Sequence, residues 1–113
     1  MKKEYRIKKN IEIQQLMQKK TTVGNSHFIL YYQKNHENKN FRYALSVPKK
    51  YGNAVERNLM KRRLREIIKM NHFLSDAEFF IVVKQKANIL NFSEIKKLVE
   101  NLFAQAKILG EQT

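Results

Sequence analysis

The sequence predicts a small α+β domain, a two-layer sandwich in which helices pack on one mixed sheet, and three observations support it. The chain has 113 residues, enough for one modest core and too few for two independent ones. Its hydrophobic content of 42%, with one proline and three glycines, suits a packed domain and excludes a collagen-like or largely disordered chain. Apolar patterns of helical and strand period then follow one another in the order α, β, β, α, β, α, with no internal repeat. One domain spanning 1–113 is expected.

Near the amino terminus, Ile11, Ile13, Leu16 and Met17 recur at nearly helical spacing behind Asn10, a good capping residue, so a short first helix is expected over 10–19. The segment HFILYYQ, His27 to Gln33, is aromatic and β-branched and reads as a strand. Phe28 and Tyr31 have opposite parity in it and therefore belong to opposite faces. The polar run KNHENKN, 34–40, is a loop of hairpin length. Phe41, Tyr43, Leu45 and Val47 then alternate with Arg42, Ala44 and Ser46, the pattern of a half-buried strand, which Pro48 ends.

Gly52-Asn53 introduces the central helix. Asn53 and Glu56 have the spacing of a capping box, and the helix is expected to run to about Met70. Phe79 to Lys84, FFIVVK, is continuous enough in apolarity to be a central strand. A second capping box, Asn91 and Glu94, precedes a helix carrying Ile95, Leu98, Val99, Leu102, Phe103 and Ala106 on one face. That helix is core, and the chain is expected to fray from Gly110.

Charge is what points to function. The formal net charge is +13, and residues 1–69 carry all of it, with 18 basic and 5 acidic side chains, while 70–113 balance at 5 of each. Cations confined to one part of a chain repel one another and destabilise the compact state. A phosphate backbone offsets that repulsion through counterion release. The sharpest concentration is Arg57-Asn58-Leu59-Met60-Lys61-Arg62-Arg63-Leu64-Arg65-Glu66. At about 100° per residue, Asn58, Lys61, Arg62, Arg65 and Lys69 share one helix face while Met60, Leu64 and Ile67 share another. Arginine's rigid fork suits bidentate contact with phosphate. Lys49 and Lys50 precede this helix, and the amides at its start near Asn53 add a favourable place for anionic oxygen. Glu56 is read as a cap, and Glu66 as a restraint on Arg62 or Arg63 one turn away.

No active site assembles from the remaining side chains. Cysteine is absent, which removes thiolate catalysis and cysteine-held metals and fits a reducing compartment. His27, His36 and His72 lie in a strand, a loop and a helix end, without carboxylates at metal-ligand spacing. Asp76, Glu78, Glu94, Glu100 and Glu111 show no pairing that specifies a two-metal nuclease site. The first twenty residues contain no continuous apolar run, so neither a signal peptide nor a membrane span is read there, and a cytoplasmic protein is expected. A polybasic membrane-surface protein is a disfavoured alternative, because the chain lacks a tryptophan anchor and its basic helix carries too narrow an apolar stripe to favour lying in lipid. If it takes part in catalysis, a partner supplies the reactive centre.

The segment SVPKKYGNAVERNLMKRRLRE, Ser46 to Glu66, resembles the signature of the protein components of bacterial ribonuclease P: a strand ending in Ser-Val-x-Lys-Lys, a Gly-Asn-Ala-Val turn, and a helix bearing Arg-Asn, Lys-Arg and Arg-Glu. YRIKKNIEIQQLM, HFILYYQ, FFIVVK and the final helix are similar to the family in kind and spacing, so the likeness covers nearly the whole chain. It implies a cofactor of a catalytic RNA that removes the 5′ leader of precursor tRNA by hydrolysis, with Mg2+ on the RNA and not on a protein-only site. It also implies a left-handed crossover between parallel strands. The partners it implies are the catalytic RNA subunit and the precursor tRNA, with no membrane. By the same likeness, Arg57, Asn58, Lys61, Arg62 and Arg65 meet the catalytic RNA or its ions, with Lys50 and Asn53 at the start of the helix. Lys9, Ile13, Met17 and Tyr31, with Phe28 beside them, would form a cleft for the single-stranded leader. Ile13 and Met17 stand where the family usually or often has phenylalanine, so leader contact there rests on apolar packing more than on ring stacking.

The rival reading is a ribosomal or RNA-chaperone module that binds structured RNA without joining an enzyme. A DNA-binding role is weaker, because no second helix precedes the basic one at helix-turn-helix spacing.

Overall fold

The computed structural model describes residues 21–110, so the helix expected over 10–19, with Lys9, Ile13 and Met17, lies outside the described residues. Within them the chain forms strands β1 (Thr22–Gly24), β2 (Phe28–Lys34) and β3 (Arg42–Ser46), helix α1 (Ala54–Lys69), strand β4 (Ala77–Val83) and helix α2 (Phe92–Ala106). Short 3-10 turns, Lys49–Tyr51 and Gln85–Ile89, precede the two helices.

The strands make one mixed sheet in the order β1-β2-β4-β3. β1 pairs with β2 and β2 with β4 antiparallel, whereas β3 and β4 run parallel and are joined through α1. This corrects the hairpin-length reading of 34–40. β2 and β3 are consecutive but not neighbours, because β4 lies between them. The physical reason is β4 itself: Ala77, Phe79, Ile81 and Val83 are buried on one face and Glu78 and Phe80 on the other, so it needs a hydrogen-bonded neighbour on each edge. The strand also starts two residues earlier than its apolar run, at Ala77 and the buried Glu78.

The core lies on one sheet face. Phe28 and Leu30, Tyr43, and Phe79 and Ile81 meet Met60, Leu64, Ile67 and Ile68 of α1 and Ile95, Val99, Leu102 and Phe103 of α2 in one continuous cluster. Rings dominate its centre: Phe73 stands 4.8 Å from Phe79 and 4.9 Å from Phe103, between centroids. On the opposite face Phe80 packs with Tyr31, Ala44 and Val82.

Both helix starts are capped as their spacing predicts. Asn53 Oδ1 accepts from Glu56 N at 2.9 Å and Glu56 Oε1 accepts from Asn53 N at 3.1 Å, and Asn91 and Glu94 repeat the exchange at 2.8 and 3.0 Å. A methyl group at Gly52 would come within 2.8 Å of Glu56 Oε1, so glycine leaves room for the first box to close. α1 ends at Lys69 with Met70 as its cap.

Candidate nucleic-acid interface

α1 buries Met60, Leu64, Ile67 and Ile68 and turns Asn58, Arg62 and Lys69 to solvent, with Lys61 and Arg65 half-buried on its flank. Three like-charged pairs sit four residues apart along it, Arg57 with Lys61, Lys61 with Arg65 and Arg65 with Lys69, each destabilising by about 0.2–0.5 kcal/mol. Burial of the four apolar side chains, at about 1.5–3 kcal/mol each, outweighs that repulsion. The helix is thus held by its inner face and free to concentrate charge on its outer one.

The sequence-predicted cations do not all share one surface. Arg57 leaves α1 on the flank nearer the core and is half-buried, and its Nε is shielded without a hydrogen-bond partner among the described residues. Glu66 lies against Lys69, with Oε1 3.9 Å from Nζ, and not against Arg62 or Arg63 as the one-turn spacing suggested. Both of its partners are half exposed to water, which makes this contact weak. It leaves Arg62 and Arg65 uncompensated by that carboxylate.

Lys49 and Lys50 are exposed on the turn before α1, next to the capped helix start. The parallel pairing of β3 and β4 adds a residue that sequence reading passed over. It brings the turn Gln85–Ile89 beside Lys49–Tyr51, so the exposed Lys86 joins Lys49 and Lys50 at the same end of the sheet. The only sequence signal for this was the spacing of two lysine-bearing segments after parallel strands. Arg63 was also passed over. It lies near Tyr51, whose phenol is buried; burial pushes its pKa up, the Arg63 charge opposes that, and Glu56 adds to it.

Tyr31 is half-buried on the sheet face opposite the helices and stacks on Phe80 with centroids 6.1 Å apart. Phe28 does not belong with it. Its side chain is fully buried in the core between sheet and helices, so it has no face to offer a base, and its assignment to a leader cleft is corrected. Beyond Tyr31 on the same face, Gln33 Nε2 donates to the buried Glu78 Oε1 at 3.1 Å, while Gln33 Oε1 is shielded and has no partner among the described residues.

Among the described residues no group of three or more His, Asp or Glu could hold a metal ion. None of the described helices is long and apolar enough to cross a membrane. What the arrangement offers chemically is charge, directed amides and an aromatic face, all of which suit binding to a polyanion.

Comparison with known proteins agrees with that chemistry. The family model described as Ribonuclease P matches residues 1–107. The ribonuclease P protein component of Acholeplasma laidlawii is 40% identical over 99% of this chain and 97% of that protein. That of Phytoplasma australiense is 45% identical over 96% of each. Among solved structures, the Staphylococcus aureus RNase P protein superposes with a TM-score of 0.86 at 36% identity, covering 94% of this chain and 98% of that one. The Thermotoga maritima RNase P protein, 22% identical with a TM-score of 0.78 over 93% of this chain and 98% of that one, shares the fold.

Proposed function

The chain belongs to the bacterial ribonuclease P protein family, and on that premise we propose that it is the protein subunit of the ribonucleoprotein that removes the 5′ leader of precursor tRNA. It is the non-catalytic cofactor, and the catalytic RNA performs the hydrolysis. The observation that carries this reading is the division of α1 into a buried apolar face and an outer face of Asn58, Arg62 and Lys69 flanked by Lys61 and Arg65.

The whole chain acts as one RNA-binding domain in the cytoplasm. Lys49, Lys50, Asn53, Arg57, Asn58, Lys61, Arg62, Arg65 and Lys69 meet the catalytic RNA, with Lys86 extending that surface. Tyr31, with Lys9, Ile13 and Met17, receives the single-stranded leader. Mg2+ is held by RNA phosphates, and the protein lowers the electrostatic cost of bringing two RNAs together and holds the leader in place. Because only the precursor has a leader, that contact favours substrate over product.

The test is leader release from precursor tRNA by the cognate catalytic RNA at low magnesium, with and without the protein, beside a protein-only control. Stimulation that requires both RNA and protein is expected. No stimulation by folded protein with competent RNA would replace this reading with a ribosomal or general RNA-binding role.

A further inference from the structure

The outer face of α1 is not purely polar. Val55 is 76% exposed in its first turn, and with Asn58, Leu59, Arg62 and Arg65 it lines an open groove of about 520 Å3. Val55, Leu59 and Arg62 lie at i, i+4 and i+7, one stripe along the helix, with Asn58 and Arg65 beside it. Phosphate contact alone gives two aliphatic side chains nothing to do, and apolar surface left in water beside cations is unfavourable.

One ligand chemistry matches every part of this groove. A nucleobase has an apolar face, an edge of donors and acceptors, and a phosphate on either side. We propose that the groove takes a single unstacked nucleotide of the partner RNA, its base resting on Val55 and Leu59, its edge at the Asn58 carboxamide and its flanking phosphates at Arg62 and Arg65. The carboxamide carries both donors and an acceptor, as a base edge requires, and the two guanidiniums supply the matching charge. The nucleotide comes from a bulge, loop or junction, because a continuous A-form duplex keeps its base faces stacked. This rests on the RNA-binding reading above and makes α1 a reader of one RNA position as well as a charged surface.

The test compares Val55→Ser, Val55→Leu and Arg62→Ala in binding to the cognate catalytic RNA across a salt series. Base-reactive probing of that RNA, free and bound, accompanies it. Val55 is exposed, so its variants should keep the wild-type melting temperature, which is measured alongside. Val55→Ser is expected to weaken binding about tenfold at every salt concentration with an unchanged salt slope, since it removes apolar contact and no charge. Val55→Leu should retain affinity. One unpaired nucleotide should be protected by wild-type protein and become reactive again with Val55→Ser. Unchanged affinity and protection with Val55→Ser, while Arg62→Ala still weakens binding and flattens its slope, would overturn the proposal and leave α1 a phosphate-binding helix. Failure of wild-type protein to bind the RNA would overturn both this proposal and the reading it rests on.

Discussion

Arg42 on β3 and Glu78 on β4 are register partners across the parallel strands, and their side chains form an ion pair with Arg42 Nη1 3.7 Å from Glu78 Oε2. The carboxylate is only 4% exposed and also accepts from Gln33 Nε2 on the other neighbouring strand, so one buried charge ties three strands together. Removing it would take the ion-pair partner on β4 from Arg42 and the acceptor from Gln33 Nε2. Glu78→Ala is expected to destabilise the fold by about 3 kcal/mol in urea unfolding. A double-mutant cycle with Arg42→Met should show coupling well above the noise of additivity, and additive effects would mean the pair contributes nothing.

Burial disfavours the charged form of the Tyr51 phenol, so its folded value stands above the ordinary one of 10.0. Between those two values the folded chain keeps a proton that the unfolded chain has lost. The contribution of Tyr51 is therefore fully present below about pH 10 and declines above it, by at most about 1.4 kcal/mol per pH unit. Tyr51→Phe should flatten the alkaline limb of stability against pH. An alkaline limb identical to wild type would show that Tyr51 does not contribute to it.

The two capping boxes separate stability from binding. Asn91→Ala should lower stability by about 1 kcal/mol and leave affinity for the catalytic RNA unchanged. Asn53→Ala should lower stability by a similar amount and also weaken RNA binding, because it disorders the helix start beside Lys49 and Lys50. Equal loss of affinity in both variants would point to global destabilisation.

Much of this was legible in local pattern. The capping boxes, the length of α1 and its two faces followed from spacing, because a helix expresses its neighbours through i, i+3 and i+4 contacts. What escaped was non-local. β1, three residues long, has no period to detect, and Glu78 hid the start of β4 because a charged residue is rarely buried unless paired with partners far away in sequence. Phe28 was misassigned although its parity was right. Alternation says that two residues face opposite ways, but which face meets the helices is decided by tertiary packing. Lys86 became a site candidate only when the parallel pairing set two turns side by side.

Arg62 and Arg65 provide the most direct test of the charged surface. Each guanidinium that neutralises an RNA phosphate releases condensed counterion, so binding should fall steeply with salt. If Arg62 and Arg65 each meet one phosphate, either alanine variant should weaken binding to the catalytic RNA and lower the magnitude of the log-log salt slope by about 0.7–0.9. The double variant should lower it by about twice that, since the two act through separate phosphates. Neither residue belongs to the buried face of α1, so loss of fold is not expected, and circular dichroism of each variant is the check. Lys97, exposed on α2, is the control: its alanine variant should leave affinity and slope unchanged. A slope unaltered by Arg62→Ala and Arg65→Ala would remove them from the interface. An equal reduction by Lys97→Ala would show that net charge, and not the face of α1, directs the binding.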